Sequence, residues 1–195
     1  MNRPGLRERK KIETLHRMQE EALRLFDEQG YDATTIEQIA EAAGVSPSTF
    51  YRYFPVKEDV VVQDEYDPLI VEVFKAQPAD TPPLEALRAV LAELFAQFTE
   101  EDLARVRRRA ALIFTVPALR SRQLLQTLAT EKLLAGMVAE RSGHAKDDLE
   151  VRHFTAVVVA SWTTAISTWA EAGPEADLSA IMDRCLAHLE AGIPL

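Results

Sequence analysis

Apolar residues recur at intervals of three and four along almost the whole chain, the spacing of one face of a helix. The first stripe is Ile12, Leu15, Met18, Ala22, Leu25 and Phe26. It predicts a helix from about Leu6 to Glu28, stopped by Gly30. A second helix is expected from Thr34-Thr35, because each threonine has Glu37 or Gln38 three residues on, the spacing of a capping box. Ile36, Ile39, Ala40 and Ala43 mark its buried face, and Gly44 ends it. Ser46 suits the N-cap of a third helix and Pro47 its first position. That helix runs to Phe54, before Pro55, and a fourth is expected from near Lys57 toward Phe74. No period-2 run and no Asn-Gly or Asp-Gly turn argues for a strand.

Residues 77–83, Gln-Pro-Ala-Asp-Thr-Pro-Pro, form the clearest break in composition and read as a linker. Helices are then expected at 83–99, 101–114, Pro117 to Arg141, 147–172 and 175–191. The fold class is therefore all-α, with nine to ten helices: an N-terminal three-helix domain over residues 1–57 and a C-terminal helical domain over 58–195. The longest stretch without charge is Phe154 to Ala170, which is short and hydroxyl-rich for a membrane span. The N-terminal segment is charged and has no apolar run of the kind a secretory signal needs. A single cysteine, Cys185, excludes an internal disulfide framework. The expectation is a cytoplasmic protein with no membrane partner.

The informative segment is Thr34 to Lys57. Two short helices joined by Gly44-Val45-Ser46 make the compact helix-turn-helix that projects its second helix into a major groove. Ala40 and Ala43 are small where the helices touch, and Ile39, Val45, Phe50 and Phe54 form a local core. At about 100° per residue, Ser48 and Arg52 face away from that core, with Thr49, Tyr51 and Tyr53 flanking it. Hydroxyls, phenols and a guanidinium bond phosphate oxygens and base edges. Lys57 is expected to open the next helix, where its ammonium and free backbone N–H groups suit a phosphate. The plainer alternatives are a helical hairpin that only packs and a solvated lysine. Arg3, Arg7, Arg9, Lys10, Lys11 and Arg17 make either a basic arm for the minor groove or a solvated helix start.

The segment resembles the DNA-binding domain of TetR-family transcriptional regulators. The resemblance rests on Thr35, Ile39-Ala40, Ala43-Gly44-Val45-Ser46, Thr49-Phe50-Tyr51, Tyr53-Phe54 and Lys57-Glu58, with Phe26, Gly30 and Tyr31 upstream. It covers about residues 8–60. Phe50, Tyr53 and Ser48 stand where leucine, histidine and glycine are commoner. The resemblance implies a homodimer on a palindromic double-stranded DNA operator, usually a repressor. It implies DNA contacts from Thr35, Ser46, Pro47, Ser48, Thr49, Tyr51, Arg52, Tyr53 and Lys57. Of these, Ser48, Thr49 and Arg52 are the candidates for base edges, and Thr35, Tyr51, Tyr53 and Lys57 for phosphates.

Beyond residue 83 there is no P-loop, dinucleotide fingerprint or nucleophile elbow. His16, His144, His153 and His188 are scattered. No catalytic residue, metal ligand or cofactor is expected, and the chain does not read as an enzyme. The helix around 154–170 is apolar or small on all sides, so one face meets its own core and another a second subunit. Phe154, Val158, Trp169, Ile181, Cys185 and Leu189 are the candidate interface residues. The family resemblance implies the same, a four-helix interface built from the last two helices of each copy. Phe74, Phe95, Phe98, Phe114, Trp162 and Ile166 either line an effector site or fill the core. The stretch Pro117 to Arg122 and the Trp169 helix end resemble an acyl-CoA-like ligand-binding subgroup near the mycofactocin-system regulator. That resemblance implies an apolar or amphipathic small-molecule effector, fatty-acyl or acyl-CoA in type. Arg105, Arg107, Arg108 and Arg109 either serve an anionic head group or form a solvated face. The rival readings are a ligand-independent architectural DNA-binding protein and an enzyme or carrier with an incidental helix-turn-helix.

Charge sharpens the picture. The 195 residues carry a formal net charge of −9, which by itself points away from nucleic acid. Residues 3–17 nonetheless hold six basic and two acidic side chains, so the negative charge belongs to the rest of the chain. A basic end on an acidic body confines DNA contact to the helix-turn-helix end.

Overall fold

The computed structural model describes residues 6–63, 67–173 and 175–194, with the side chains of 6–9, 12 and 67–69 outside the described set. The described residues form ten helices: α1 (Leu6–Gln29), α2 (Ile36–Ala42), α3 (Pro47–Tyr53), α4 (Asp59–Val62), α5 (Asp67–Ala76), α6 (Pro83–Phe95), α7 (Glu100–Thr115), α8 (Pro117–Ser142), α9 (Leu149–Glu171) and α10 (Leu178–Glu190). No strand occurs among the described residues. The expected all-α class is what the chain adopts. Two units divide it: residues 1–65 with 111–123, and residues 66–110 with 124–195.

In the first unit α1 supplies Met18, Ala22, Leu23 and Phe26 to a core shared with Ile39, Ala40, Phe50, Phe54, Val60, Val61, Val62 and Leu119. Of the two threonines at the start of α2, Thr35 is the cap. Its hydroxyl accepts the Gln38 N–H at 3.2 Å, and the Gln38 side chain accepts the Thr35 N–H at 2.9 Å. Thr34 is buried instead, its hydroxyl donating to the Gly30 carbonyl at 2.8 Å. Gly44 has φ +64°, a left-handed conformation that favours glycine. There the Gly44 and Val45 N–H groups reach back to the carbonyls of Glu41 and Ala40 at 3.0 and 2.9 Å, the Schellman closure of a helix.

The fourth helix departs from expectation. Instead of one helix from Lys57 toward Phe74 there are two, α4 and α5, with residues 64–66 outside the described set. Helix α4 is one turn of Asp59, Val60, Val61 and Val62, and Gln63 after it is extended, at φ −68° and ψ 135°. Three successive β-branched residues weaken helix propensity. All three are buried in the core, so tertiary packing fixes this turn. The chain's exit is held by Gln19, whose side-chain amide donates to the Gln63 carbonyl at 3.2 Å.

In the second unit one core joins Phe74, Ala86, Leu87, Val90, Leu134, Met137, Val158 and Val159. A second cluster joins Leu91, Ala165, Met182 and Leu186. The expected linker at 77–83 is an ordered connection. Arg141 donates to the carbonyls of Phe74 (2.9 Å), Gln77 (3.1 Å), Pro78 (2.6 Å) and Thr81 (3.1 Å), and its guanidinium lies 4.7 Å from the Phe74 ring centroid. They lie at and beyond the end of α5, where helix carbonyls run short of intrahelical donors; those of Phe74 and Pro78 also accept the N–H groups of Gln77 (3.3 Å) and Thr81 (3.1 Å). Helix α6 ends at Phe95, four residues before the expected 99. Arg88 on α6 also ties down α10, through Asp183 at 2.7 Å and Glu190 at 2.6 Å.

Candidate nucleic-acid interface and effector region

Helix α3 is held from beneath by two phenyl rings. Phe50 and Phe54 are fully buried, with centroids 5.4 Å apart. This fixes which side chains face outward. Ser48, Tyr51 and Arg52 are exposed, and Thr49 and Tyr53 are half-buried beside them. Ser46 closes the helix start, its hydroxyl accepting the Thr49 N–H at 3.1 Å and lying 2.9 Å from the Thr49 hydroxyl. The Arg52 guanidinium lies 5.5 Å from the Tyr53 ring centroid, within cation–π range. Thr35 and Pro47 are exposed at the starts of α2 and α3. Thr35, Ser46, Pro47, Ser48, Thr49, Tyr51, Arg52 and Tyr53 thus share one unit and lie along the two-helix motif, from the start of α2 to the end of α3.

Lys57 is placed differently from expectation. It does not open a helix: α4 starts at Asp59, with Glu58 as N-cap. Its ammonium donates to the carbonyls of Tyr31 (2.8 Å) and Thr34 (3.0 Å) and sits 4.1 Å from the Tyr31 ring centroid. The Tyr31 hydroxyl donates to Glu58 at 2.8 Å. Lys57 and Glu58 therefore clamp the connection before α2 to the connection after α3, which sets the angle at which α3 is presented. Burial and the Glu58 carboxylate push the Tyr31 phenol well above its ordinary pKa of 10. This clamp was not deduced from the sequence, although Tyr31, Lys57 and Glu58 all stand among the residues of the family resemblance. Contacts 23 to 27 residues apart carry no periodic signal.

Of the basic N-terminal residues, Arg3 lies outside the described residues, as do the side chains of Arg7 and Arg9. Lys10, Lys11 and Arg17 belong to α1.

The second unit gathers most of the aromatic candidates. Phe74 is buried in the first of its cores, and Trp162 packs against both cores. Phe95 and Ile166 pack against the second core, with Phe98 edge-on to Phe95 at 5.5 Å. Phe114 is not among them: it is exposed and belongs to the segment 111–123 of the other unit. Val158 and Trp169, expected between copies of the chain, are fully buried within their own unit. The Trp169 indole donates to the Ala176 carbonyl at 2.9 Å, and Arg107 lies 3.9 Å from its ring centroid. Phe154, Ile181, Cys185 and Leu189 are half-buried. Three arginines of α7 are engaged or buried within the fold. Arg105 pairs with Asp102 at 2.6 Å, Arg107 donates to the Trp169 carbonyl at 2.8 Å, and Arg109 is buried. Burial works against the charge on Asp102, but the backbone and hydroxyl of Thr99, with Arg105, hold its carboxyl below the usual range.

Comparison with known proteins fits this geometry. Residues 20–63 match the family described as bacterial regulatory proteins, tetR family, and residues 81–194 match the MftR C-terminal domain. The chain belongs to the TetR family of transcriptional regulators.

As a TetR-family chain it has regulators, not enzymes, as its relatives. The HTH-type transcriptional regulator TcmR of Streptomyces glaucescens is 33% identical over 86% of this chain and 78% of its own length. The fatty acid metabolism regulator of Bacillus subtilis is 26% identical, over 88% of this chain and 91% of its own. Among solved structures, Thermus thermophilus FadR, a TetR-family repressor crystallised with lauroyl-CoA, superposes with a TM-score of 0.60. That likeness covers 93% of this chain and 95% of FadR at 24% identity, and it shows the shared fold. No described helix is long and apolar enough to cross a membrane.

Proposed function

We propose that this TetR-family regulator is a homodimeric repressor that leaves a palindromic operator when a small apolar or amphipathic molecule binds its C-terminal domain. Residues 1–57 serve DNA, and residues 58–195 serve the effector and the partner subunit. The observation that carries this reading is the outward face of α3, where Ser48, Tyr51 and Arg52 stand exposed over the buried Phe50 and Phe54. Ser48, Thr49 and Arg52 read base edges, Arg52 being the long donor suited to guanine. Thr35, Ser46, Pro47, Tyr51 and Tyr53 contact the backbone. Lys57 acts on DNA through the Tyr31 and Thr34 carbonyls it holds, with any phosphate contact added to those bonds.

The dimer face we assign is the half-buried set Phe154, Ile181, Cys185 and Leu189, with Val158 and Trp169 as the buried layer beneath. Two recognition helices must then sit roughly 34–36 Å apart to enter successive major grooves. An effector that favours another spacing removes the protein from DNA by as much as its affinity differs between the two states. For the effector we propose a fatty-acyl or acyl-CoA-type molecule. The match to the MftR C-terminal domain and the lauroyl-CoA bound by a fold neighbour support that class. Phe74, Phe95, Phe98, Trp162 and Ile166 are the assigned surroundings. The test is a mobility-shift titration of the DNA upstream of the protein's own gene with and without lauroyl-CoA. Release of the shifted band supports the reading, and an unchanged band despite demonstrated ligand binding refutes the switch.

A further inference from the structure

Helix α9 carries both tryptophans of the chain, seven residues apart, and treats them oppositely. The Trp169 indole N–H is bonded to the Ala176 carbonyl at 2.9 Å. The Trp162 side chain is half-buried, and its Nε1 atom is shielded from solvent without a hydrogen-bond partner. Folded proteins rarely leave a buried donor unmade, and such a group calls for an explanation. Trp162 packs against two apolar clusters, one containing Phe74 and Val158 and the other Leu91 and Ala165. The α9 backbone carbonyls nearby are taken up by the helix ladder and by Ser161 and Thr163 hydroxyls.

We propose that Trp162 Nε1 is the polar anchor of the effector site, donating to an uncharged acceptor, a thioester or ester carbonyl, on a ligand whose apolar chain lies between the two clusters. The inference deepens the effector reading above and rests on it. It assigns the residue that selects the ligand: an apolar body alone leaves the indole N–H unbonded, whereas a body with a carbonyl in register satisfies it. A carboxylate at this depth is disfavoured, since the groups packed around it are apolar and a buried charge needs a partner. The anionic part of an amphipathic effector therefore lies elsewhere, with the carbonyl held at Trp162.

The test compares lauroyl-CoA with S-dodecyl-CoA, a thioether that lacks only the carbonyl, by titration calorimetry on the full-length protein and on W162F. One hydrogen bond of ordinary strength is worth about threefold to tenfold in affinity. The wild-type protein should prefer the thioester by that factor, and W162F should bind the two equally. Operator affinity of W162F serves as the check that the variant is folded. Should W162F not fold, wild-type indole emission decides, because a bond to Trp162 shifts it to the red with the thioester and not with the thioether. Absence of lauroyl-CoA binding, equal affinity or equal emission shift in the wild type, or a preference that survives in folded W162F overturns the assignment. Operator release is a separate readout. Release by lauroyl-CoA with no dependence on Trp162 leaves the proposed function standing and removes only this inference. Trp162-dependent binding with no release does the reverse.

Discussion

Arg122 Nε lies 2.6 Å from Asp59 Oδ1, joining the second turn of α8 to the first residue of α4. Asp59 is only 1% exposed, and its other oxygen accepts the Val56 N–H at 3.4 Å. A carboxylate so far from water is tolerable only while paired. Arg122, about one third exposed, is the partner that makes it so, and Asp59 in turn raises the affinity of that guanidinium for its proton.

Removing Arg122 alone should therefore cost more than removing both members. R122A is expected to destabilise the protein by about 2–4 kcal/mol, reduced from the range for fully buried pairs by the solvent around Arg122. R122A/D59N should recover a large part of that loss. Urea denaturation of the two single variants and the double variant closes the cycle. Equal stability of R122A and the double variant would show that Asp59 needs no partner.

Arg141 gathers four carbonyls from the end of α5 and the connection to α6 while lying over Phe74. R141A should cost about 2–4 kcal/mol, since hydrogen bonds to a charged donor exceed neutral ones and the Gln77 and Thr81 carbonyls lose the donor that holds them. R141K keeps the charge but loses the planar fork, so it should lie nearer R141A than the wild type. Thermal unfolding of both variants measures this.

This contact also shows where sequence reading ends. The boundaries of α2 and α3 were legible because local chemistry marks them: the Thr35 cap with Gln38, Gly44 in a left-handed turn, Ser46, and Pro47 at the first helical position. Outward placement of Ser48 and Arg52 followed from the period of Phe50 and Phe54, whereas Tyr51, expected to flank the core, is exposed as well. The loop at 77–83 reads as a linker because its Pro and Asp are local signals, whereas the arginine that orders it stands 60 to 67 residues away. The split of α4 from α5 was hidden for the same reason. Apolar periodicity continues through Val60–Val62, but long-range packing and the Gln19 amide end the helix at Val62. Trp162 and Trp169 are indistinguishable by spacing, and only the fold separates the bonded indole from the unbonded one.

The Tyr31 phenol carries a pH dependence whose sign is determined by burial and Glu58. Its folded pKa lies above the unfolded value of 10, so the protonated form is favoured by folding. The associated stability is complete below about pH 10 and is lost as the pH rises from there through the folded pKa. Melting temperature should fall more steeply between pH 9.5 and roughly 11.5 in the wild type than in Y31F. Identical alkaline slopes would mean that the phenol is not held by Glu58.

The helix-turn-helix yields a prediction about sequence reading. R52A should lose about 1–3 kcal/mol of operator affinity, concentrated at one base pair. On operators altered at that base pair, wild type and R52A should bind alike. Fluorescence anisotropy over a set of single-base operator variants resolves the pattern. A uniform loss on every DNA, scrambled DNA included, would assign Arg52 to the phosphate backbone.

The central claim is that the exposed face of α3 recognises a DNA sequence. It is tested most directly by anisotropy titration of the full-length protein with the DNA upstream of its own gene and a scrambled duplex of equal length, both near 0.15 M salt. The account predicts affinity for the specific duplex at least about a thousandfold above the scrambled one, falling toward the scrambled value in S48A/Y51A/R52A. Equal binding to both duplexes, or full specificity in the triple variant, would contradict it.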